Sequence, residues 1–135
     1  KNEKINQGKD LAIISENGKK TFTFRMFNEF DPKRTYLMTS DIAEGIGKDS
    51  SVLYVWDITD TSNIKMVLRF SDNNISILEF AYLTFQIAKM YNNPFLACEA
   101  NGISLGYIEQ LRVTYEYENF VRLNRENSCG IQSHV

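Results

Sequence analysis

Thr39–Ile58, TSDIAEGIGKDSSVLYVWDI, joins two apolar runs through a short connection rich in acids and glycine. Asp41 and Glu44 follow the first run, Gly45 and Gly47 come next, and Asp49 stands just ahead of the second run. The first run, Thr35–Asp41, reads as a strand ending at an acid. The second, Ser51–Ile58, is apolar on both faces near its centre, as expected of a strand covered on both sides. After the turn TDTSN, Ile64–Ser71 repeats the strand pattern. Three strands with short connections predict an antiparallel meander.

Downstream, the pattern alternates. Ser76–Tyr91 reads as a helix that opens on a capping box, with Ser76 as cap and Glu79 reaching back. Ile75 and Phe80 are spaced for a hydrophobic staple, and Leu78, Ala81, Phe85 and Ala88 form an apolar stripe at helical spacing. The sequence NNP, Asn92–Pro94, stops the helix. Pro94–Glu99, PFLACE, is a short apolar strand ending at a second acid. A second helix is predicted over Ser104–Tyr115, with Leu105, Ile108 and Leu111 inward. Asn119–Leu123 is predicted as a fifth strand, and the polar residues beyond it give no pattern.

A strand entered through a helical crossover pairs in parallel with an earlier strand. The free side of the meander is its first strand. Counted from Thr35, the predicted α/β architecture is a mixed sheet of order 3-2-1-4-5 with helices packed on it. Ahead of it, DLAIISENGKKTFTFRMF predicts an extra β-hairpin turning at Asn17-Gly18. The expected organisation is a single domain over residues 1–135, with residues 1–34 as a hairpin extension within it. The chain opens at Lys1 and stops after CGIQSHV, and the expectation is an excised piece of a larger protein.

Composition narrows the function classes. Hydrophobic residues make up 43% and charged residues 24% of the 135, which fits a folded domain with a real core. The net charge of −2 lacks the strong basicity of a dedicated nucleic-acid binder. Cys98 and Cys129 make no disulfide framework, and a reducing compartment is expected. No apolar run is long enough to span a membrane. GIGKDS misses a phosphate-binding loop, which would need Gly at 42 and Ser or Thr at 49, where Ile42 and Asp49 stand. His134 has no evident partner, and Cys98 has no base to activate it. Lys19, Lys20, Lys33, Arg34, Arg112, Arg122 and Arg125 read as solvated surface.

The predicted topology gives the acids a common place. Asp41 and Glu99 would end parallel neighbouring strands, about 4.8 Å apart. Asp49, opening the antiparallel partner strand, would return to the same end. Each acid alone reads equally as a strand-end or turn residue, and Glu44 as a loop residue. Their convergence points to a hard cation, Mg²⁺ or Mn²⁺, held by oxygen ligands. Two such ions hydrolyse phosphodiesters. Gly45 and Gly47 would let backbone approach a phosphate.

YLMTSDIAEGIGKDSSVLYVWDI and NPFLACEANG together resemble the nuclease domain of the large terminase subunit of tailed bacteriophages, a ribonuclease H-like fold. The resemblance covers about Tyr36–Tyr117. The family pattern D-x-x-x-G-x-x-x-D falls on Asp41, Gly45 and Asp49, and its E-x-N on Glu99 and Asn101. The resemblance implies Asp41 and Glu99 as catalytic metal ligands, Asp49 as a further ligand, and Glu44 and Asn101 as outer residues. It implies a metal-dependent endonuclease that cuts concatemeric double-stranded DNA during genome packaging. The implied partners are a portal protein, a small terminase subunit and an ATPase motor of the same chain, in the cytoplasm of an infected or lysogenic bacterium. No residue after Glu99 matches the family's third catalytic aspartate; Glu109, Glu116, Glu118 and Glu126 lie in helix or surface contexts. The expectation is a site lacking one of its acids, and so a piece inactive alone. The alternative is a catalytically inert docking module of the packaging machine. An actin-like or sugar-kinase ATPase is disfavoured for want of a second phosphate loop.

Overall fold

The computed structural model describes residues 6–44, 47–99, 102–124 and 130–134, giving the backbone course alone for 122–124 and 130–134. The strands are β1 (Lys9–Ile14), β2 (Thr21–Met26), β3 (Tyr36–Asp41), β4 (Ser51–Asp57), β5 (Lys65–Asp72), β6 (Phe95–Cys98), β7 (Phe120–Asn124) and β8 (Gly130–His134). The helices are α1 (Ile77–Met90) and α2 (Gly102–Glu109), and α2 runs into a π turn over Gln110–Thr114. The strands form an eight-stranded mixed sheet in the order β1-β2-β5-β4-β3-β6-β7-β8.

The centre of the sheet is the meander. β3 pairs antiparallel with β4 and β4 antiparallel with β5, with an irregularity between Val55 and Trp56. The chain then crosses through α1 and lays β6 parallel beside β3, with Leu37 opposite Phe95 and Ser40 opposite Cys98. A second crossover through α2 brings β7 parallel to β6. The N-terminal hairpin does not stand apart from the sheet. Its second strand extends it past β5, where Arg25 faces Arg69 and Met26 faces Leu68. β8, in the stretch where no pattern was expected, pairs with β7.

One face of the sheet is dry. Met38, Leu53, Val55, Leu68, Phe70 and Leu96 are buried cross-strand neighbours, and Phe80, Leu83, Ile87, Tyr107 and Leu111 from the helical layer belong to the same core. Stacked rings tie the layers: Phe80 lies 6.1 Å from Phe70 and 5.1 Å from Tyr107, centre to centre. On the other face, Leu37, Thr39, Val52, Tyr54, Trp56 and Ala97 are half-exposed. Trp56 donates its indole N–H to Thr39 Oγ1 at 2.8 Å there.

The start of α1 follows the sequence. Ser76 and Glu79 close the reciprocal capping box, and Ile75 and Phe80 are both buried. The helix faces correct the sequence stripe. Leu78 is 60% exposed and Leu105 61% exposed, and neither faces the core. The other stripe residues hold: Ala81, Ala88 and Leu111 are buried, and Phe85 and Ile108 pack against the core; α1 also buries Phe80, Leu83, Thr84 and Ile87, and α2 buries Ser104 and Tyr107. The hairpin turn is also wider than two residues. Ser15 N–H bonds Lys20 C=O, Gly18 N–H bonds Ser15 C=O, and Gly18 sits at φ +77°. Asn17 Oδ1 accepts from Ser15 Oγ and Lys19 N–H and so holds the loop open at that width.

Candidate functional site

Ser40 and Cys98 are the last paired residues of the parallel β3–β6 ladder, so Asp41 and Glu99 are its next step. Adjacent strands run about 4.8 Å apart, which sets the backbones of the two acids side by side at one end of the sheet. Both are exposed, and the charges of both are felt at the Cys98 thiol. Strand alternation turns Ser40 inward and Asp41 outward.

Two local contacts hold Asp41 in place. Ile42 is buried directly after it, and Ala43 N–H donates to Ser51 Oγ at 2.9 Å, closing the connection back onto β4. Glu44 is exposed in that connection, and Gly45 lies outside the described residues. Gly47 adopts φ +88°, a conformation that favours glycine. Its N–H is taken by Asn73 C=O at 2.9 Å. The Gly47 amide therefore ties the connection to the β5–α1 turn.

Asp49 is exposed two residues ahead of β4. Among the described residues, no three Asp, Glu, His or Cys side chains gather closely enough to hold a metal ion. The structure therefore brings Asp41 and Glu99 to neighbouring strand ends but does not join Asp49 to them in a three-ligand cage. Asn101 lies outside the described residues, as do the side chains of Arg122, Arg125 and His134. A pair of exposed carboxylates fits Mg²⁺ or Mn²⁺, ions commonly held by one or two carboxylates together with waters and substrate phosphates.

Beneath the pair lies a polar group that the sequence reading missed. Thr84 Oγ1 donates to Phe80 C=O at 2.8 Å and meets the Tyr107 hydroxyl at 2.9 Å. Ser40 and Cys98 face the same point from the sheet, and Ser104 approaches Cys98 from α2. Ser40 Oγ is buried and completes no hydrogen bond of good geometry, although the Tyr107 hydroxyl and Cys98 thiol are its neighbours. Burial pushes the Cys98 thiol up; the neighbouring Ser40 and Ser104 hydroxyls oppose this, while the Asp41 and Glu99 charges add to it. A thiol held protonated in this way is a poor nucleophile. Burial likewise pushes the Tyr107 hydroxyl up, so it stays a neutral donor.

Two of the basic residues have structural partners. Lys20 pairs with the capping Glu79 at 3.1 Å, and Arg34 with Asp57 at 3.1 Å.

The fold is similar to that of solved phage proteins. The large terminase nuclease of thermophilic phage G20c, solved with bound magnesium, superposes with a TM-score of 0.61 at 14% identity, over 78% of this chain and 53% of that one. The fold is that of a phage large terminase nuclease domain. The same G20c nuclease was also solved with bound zinc and with bound cobalt. The Thermus phage P74-26 large terminase nuclease domain superposes with a TM-score of 0.59 at 17% identity, over 76% of this chain and 49% of that one. The chain thus spans about half the length of the terminase nucleases it matches. No protein-family profile matches the sequence. Among the described residues no helix is long and apolar enough to cross a membrane.

Proposed function

We propose that this chain is the metal-dependent endonuclease module of a phage terminase large subunit, acting on double-stranded DNA during genome packaging. The observation that carries the proposal is the parallel β3–β6 pairing, which brings the acid after Ser40 beside the acid after Cys98. In this reading Asp41 and Glu99 hold a divalent cation, Mg²⁺ or Mn²⁺, and Asp49 assists from the start of β4. The cation supplies Lewis acidity at a phosphodiester, the chemistry that such oxygen-ligated sites perform. The chain's own contribution is to hold Asp41 at the exit of β3, which the buried Ile42 and the Ala43–Ser51 bond anchor. The packaging setting, with a portal and an ATPase motor as partners, rests on the likeness to the terminase nucleases.

The test has two parts. Supercoiled plasmid is incubated with the full-length protein and Mn²⁺, and nicking is compared with Asp41→Asn and Glu99→Gln. Thermal denaturation is followed with and without Mn²⁺. A cation at a hundred times its dissociation constant stabilises the folded state by about 2.7 kcal/mol. The expected result is nicking and a rise in melting temperature, both lost in the two variants. Nicking that survives both substitutions refutes the assignment. A wild-type full-length protein that neither nicks nor responds to Mn²⁺ supports the inert docking module.

A further inference from the structure

We propose that Tyr107, Thr84 and Ser40 form a buried positioning device that fixes the separation of the Asp41 and Glu99 carboxylates for a divalent cation. The inference rests on reading that pair as the cation site.

The direction of the hydrogen bonds can be worked out. The Thr84 hydroxyl has one proton and gives it to Phe80 C=O. The 2.9 Å contact with Tyr107 must then be donated by the phenol. That leaves the phenol oxygen as an acceptor at the point that Ser40 faces. Ser40, in turn, is the residue paired with Cys98 at the last rung beneath the acids. A line of hydroxyls therefore runs from the backbone of α1 through Thr84 to Tyr107 on α2, and the Ser40 hydroxyl, on the rung beneath the two acids, neighbours it without completing a hydrogen bond.

A purely apolar packing would fill this place without the cost of a buried, unpaired hydroxyl. Among the described residues the buried polar side chains are Ser15, Ser40, Ser51, Asp57, Thr84 and Ser104. Ser40, Thr84 and Ser104 lie in or beside this line, and Ser51 bonds the residue two beyond Asp41. Buried polarity is thus concentrated around the exit of β3. Groups of this kind orient metal ligands from behind, and removing one commonly weakens metal affinity 10- to 100-fold.

The experiment titrates MnCl₂ into the full chain and reads free Mn²⁺ by electron paramagnetic resonance, together with the melting temperature in EDTA. Tyr107→Phe keeps the ring stacked on Phe80 and removes the hydroxyl. Thr84→Val removes the acceptor and serves if Tyr107→Phe does not fold. Tyr117→Phe is the matched control, because the buried Tyr117 hydroxyl donates to Pro94 C=O just ahead of β6, at the end away from Glu99. The expected result is Mn²⁺ affinity weakened about tenfold in Tyr107→Phe and Thr84→Val, with wild-type affinity in Tyr117→Phe. Wild-type affinity in both Tyr107→Phe and Thr84→Val overturns the inference alone. An equal loss in Tyr117→Phe also overturns it, because loosening of the fold would then suffice. If the wild-type chain binds no Mn²⁺, the reading of the acid pair fails and the inference falls with it.

Discussion

Asp57→Ala should destabilise the fold without touching the acid pair, and its size can be worked from the contacts. Asp57 ends β4 opposite Tyr36, at the far end of the β3–β4 ladder from the Asp41–Val52 pair. Its carboxylate accepts from Thr59 N–H at 3.0 Å, Thr59 Oγ at 2.7 Å and Arg34 Nη1 at 3.1 Å, while its side chain is only 9% exposed. Hydrogen bonds to a charged group contribute about 1.5–3 kcal/mol each in favourable settings. Here the partners recover water when the acid is removed: Thr59 is exposed and the Arg34 side chain is 46% exposed. The three bonds together are therefore worth about 2 kcal/mol, after discounting the screened ion pair. An unfolding entropy of about 2.1 cal/mol/K per residue converts this to a drop of about 7 °C in melting temperature.

Acid dependence gives a second check on Asp57. Burial raises its pKa, but the Thr59 bonds and the Arg34 charge outweigh burial and hold it below the ordinary carboxylate range. A depressed folded-state pKa contributes stability above the unfolded value, about 3.9, and loses it as pH falls through the folded value. The gap between wild type and Asp57→Ala should be full at neutral pH and shrink below about pH 4. Thermal or urea denaturation across that range measures it. A gap that stays constant down to pH 2.5, or an Mn²⁺-induced shift that disappears along with Asp57, would refute the reasoning.

Other substitutions test separate links of the argument. Ser76→Ala opens the capping box of α1 and should cost about 1 kcal/mol by urea denaturation. Gly47→Ala meets no atom within 4 Å, so its cost of about 1–2 kcal/mol should come from the positive φ alone. Gly47→Asn should then recover part of it, because asparagine tolerates that conformation. Leu78→Gln should change stability by less than about 0.5 kcal/mol, whereas Phe80→Ala, which removes a ring between Phe70 and Tyr107, should cost about 3–5 kcal/mol. Equal costs for Leu78 and Phe80 would mean that α1 packs on a different face.

The parallel β3–β6 pairing was legible because it follows from chain order. A strand reached through a helix has few places to go, and the free side of the meander was one of them. Asp41 and Glu99 came with it, as the acids that end those strands. The junction of β2 with β5 was not legible, because a hairpin carries its own turn signal but no mark of the edge it will join. The width of the hairpin loop depended on Asn17, whose side chain caps two donors that a two-residue turn would not have. β8 was hidden in a polar stretch, as edge strands commonly are.

The misread helix faces and the missed polar group have one origin. The apolar stripe through Leu78, Ala81, Phe85 and Ala88 skips Thr84, and the one through Leu105, Ile108 and Leu111 skips Ser104. Yet Thr84 and Ser104 are among the most buried residues of their helices, and both lie beside the line that leads to Ser40. Hydropathy patterning counts a hydroxyl as outward, so it placed Ala81, Ala88 and Leu111 correctly but passed over Thr84 and Ser104 and took in the exposed Leu78 and Leu105. α2 shows this most plainly: its inward residues Ser104 and Tyr107 both carry hydroxyls, and the apolar Leu105 faces water. Burying hydroxyls in two helices, while leaving leucine exposed in each, is an unfavourable exchange by transfer free energy alone. It becomes intelligible if the point where the helices meet the β3–β6 rung must be held by directional bonds, which dispersion contacts cannot supply. The dry face of the sheet would then set the geometry of the wet end, one residue further along each strand.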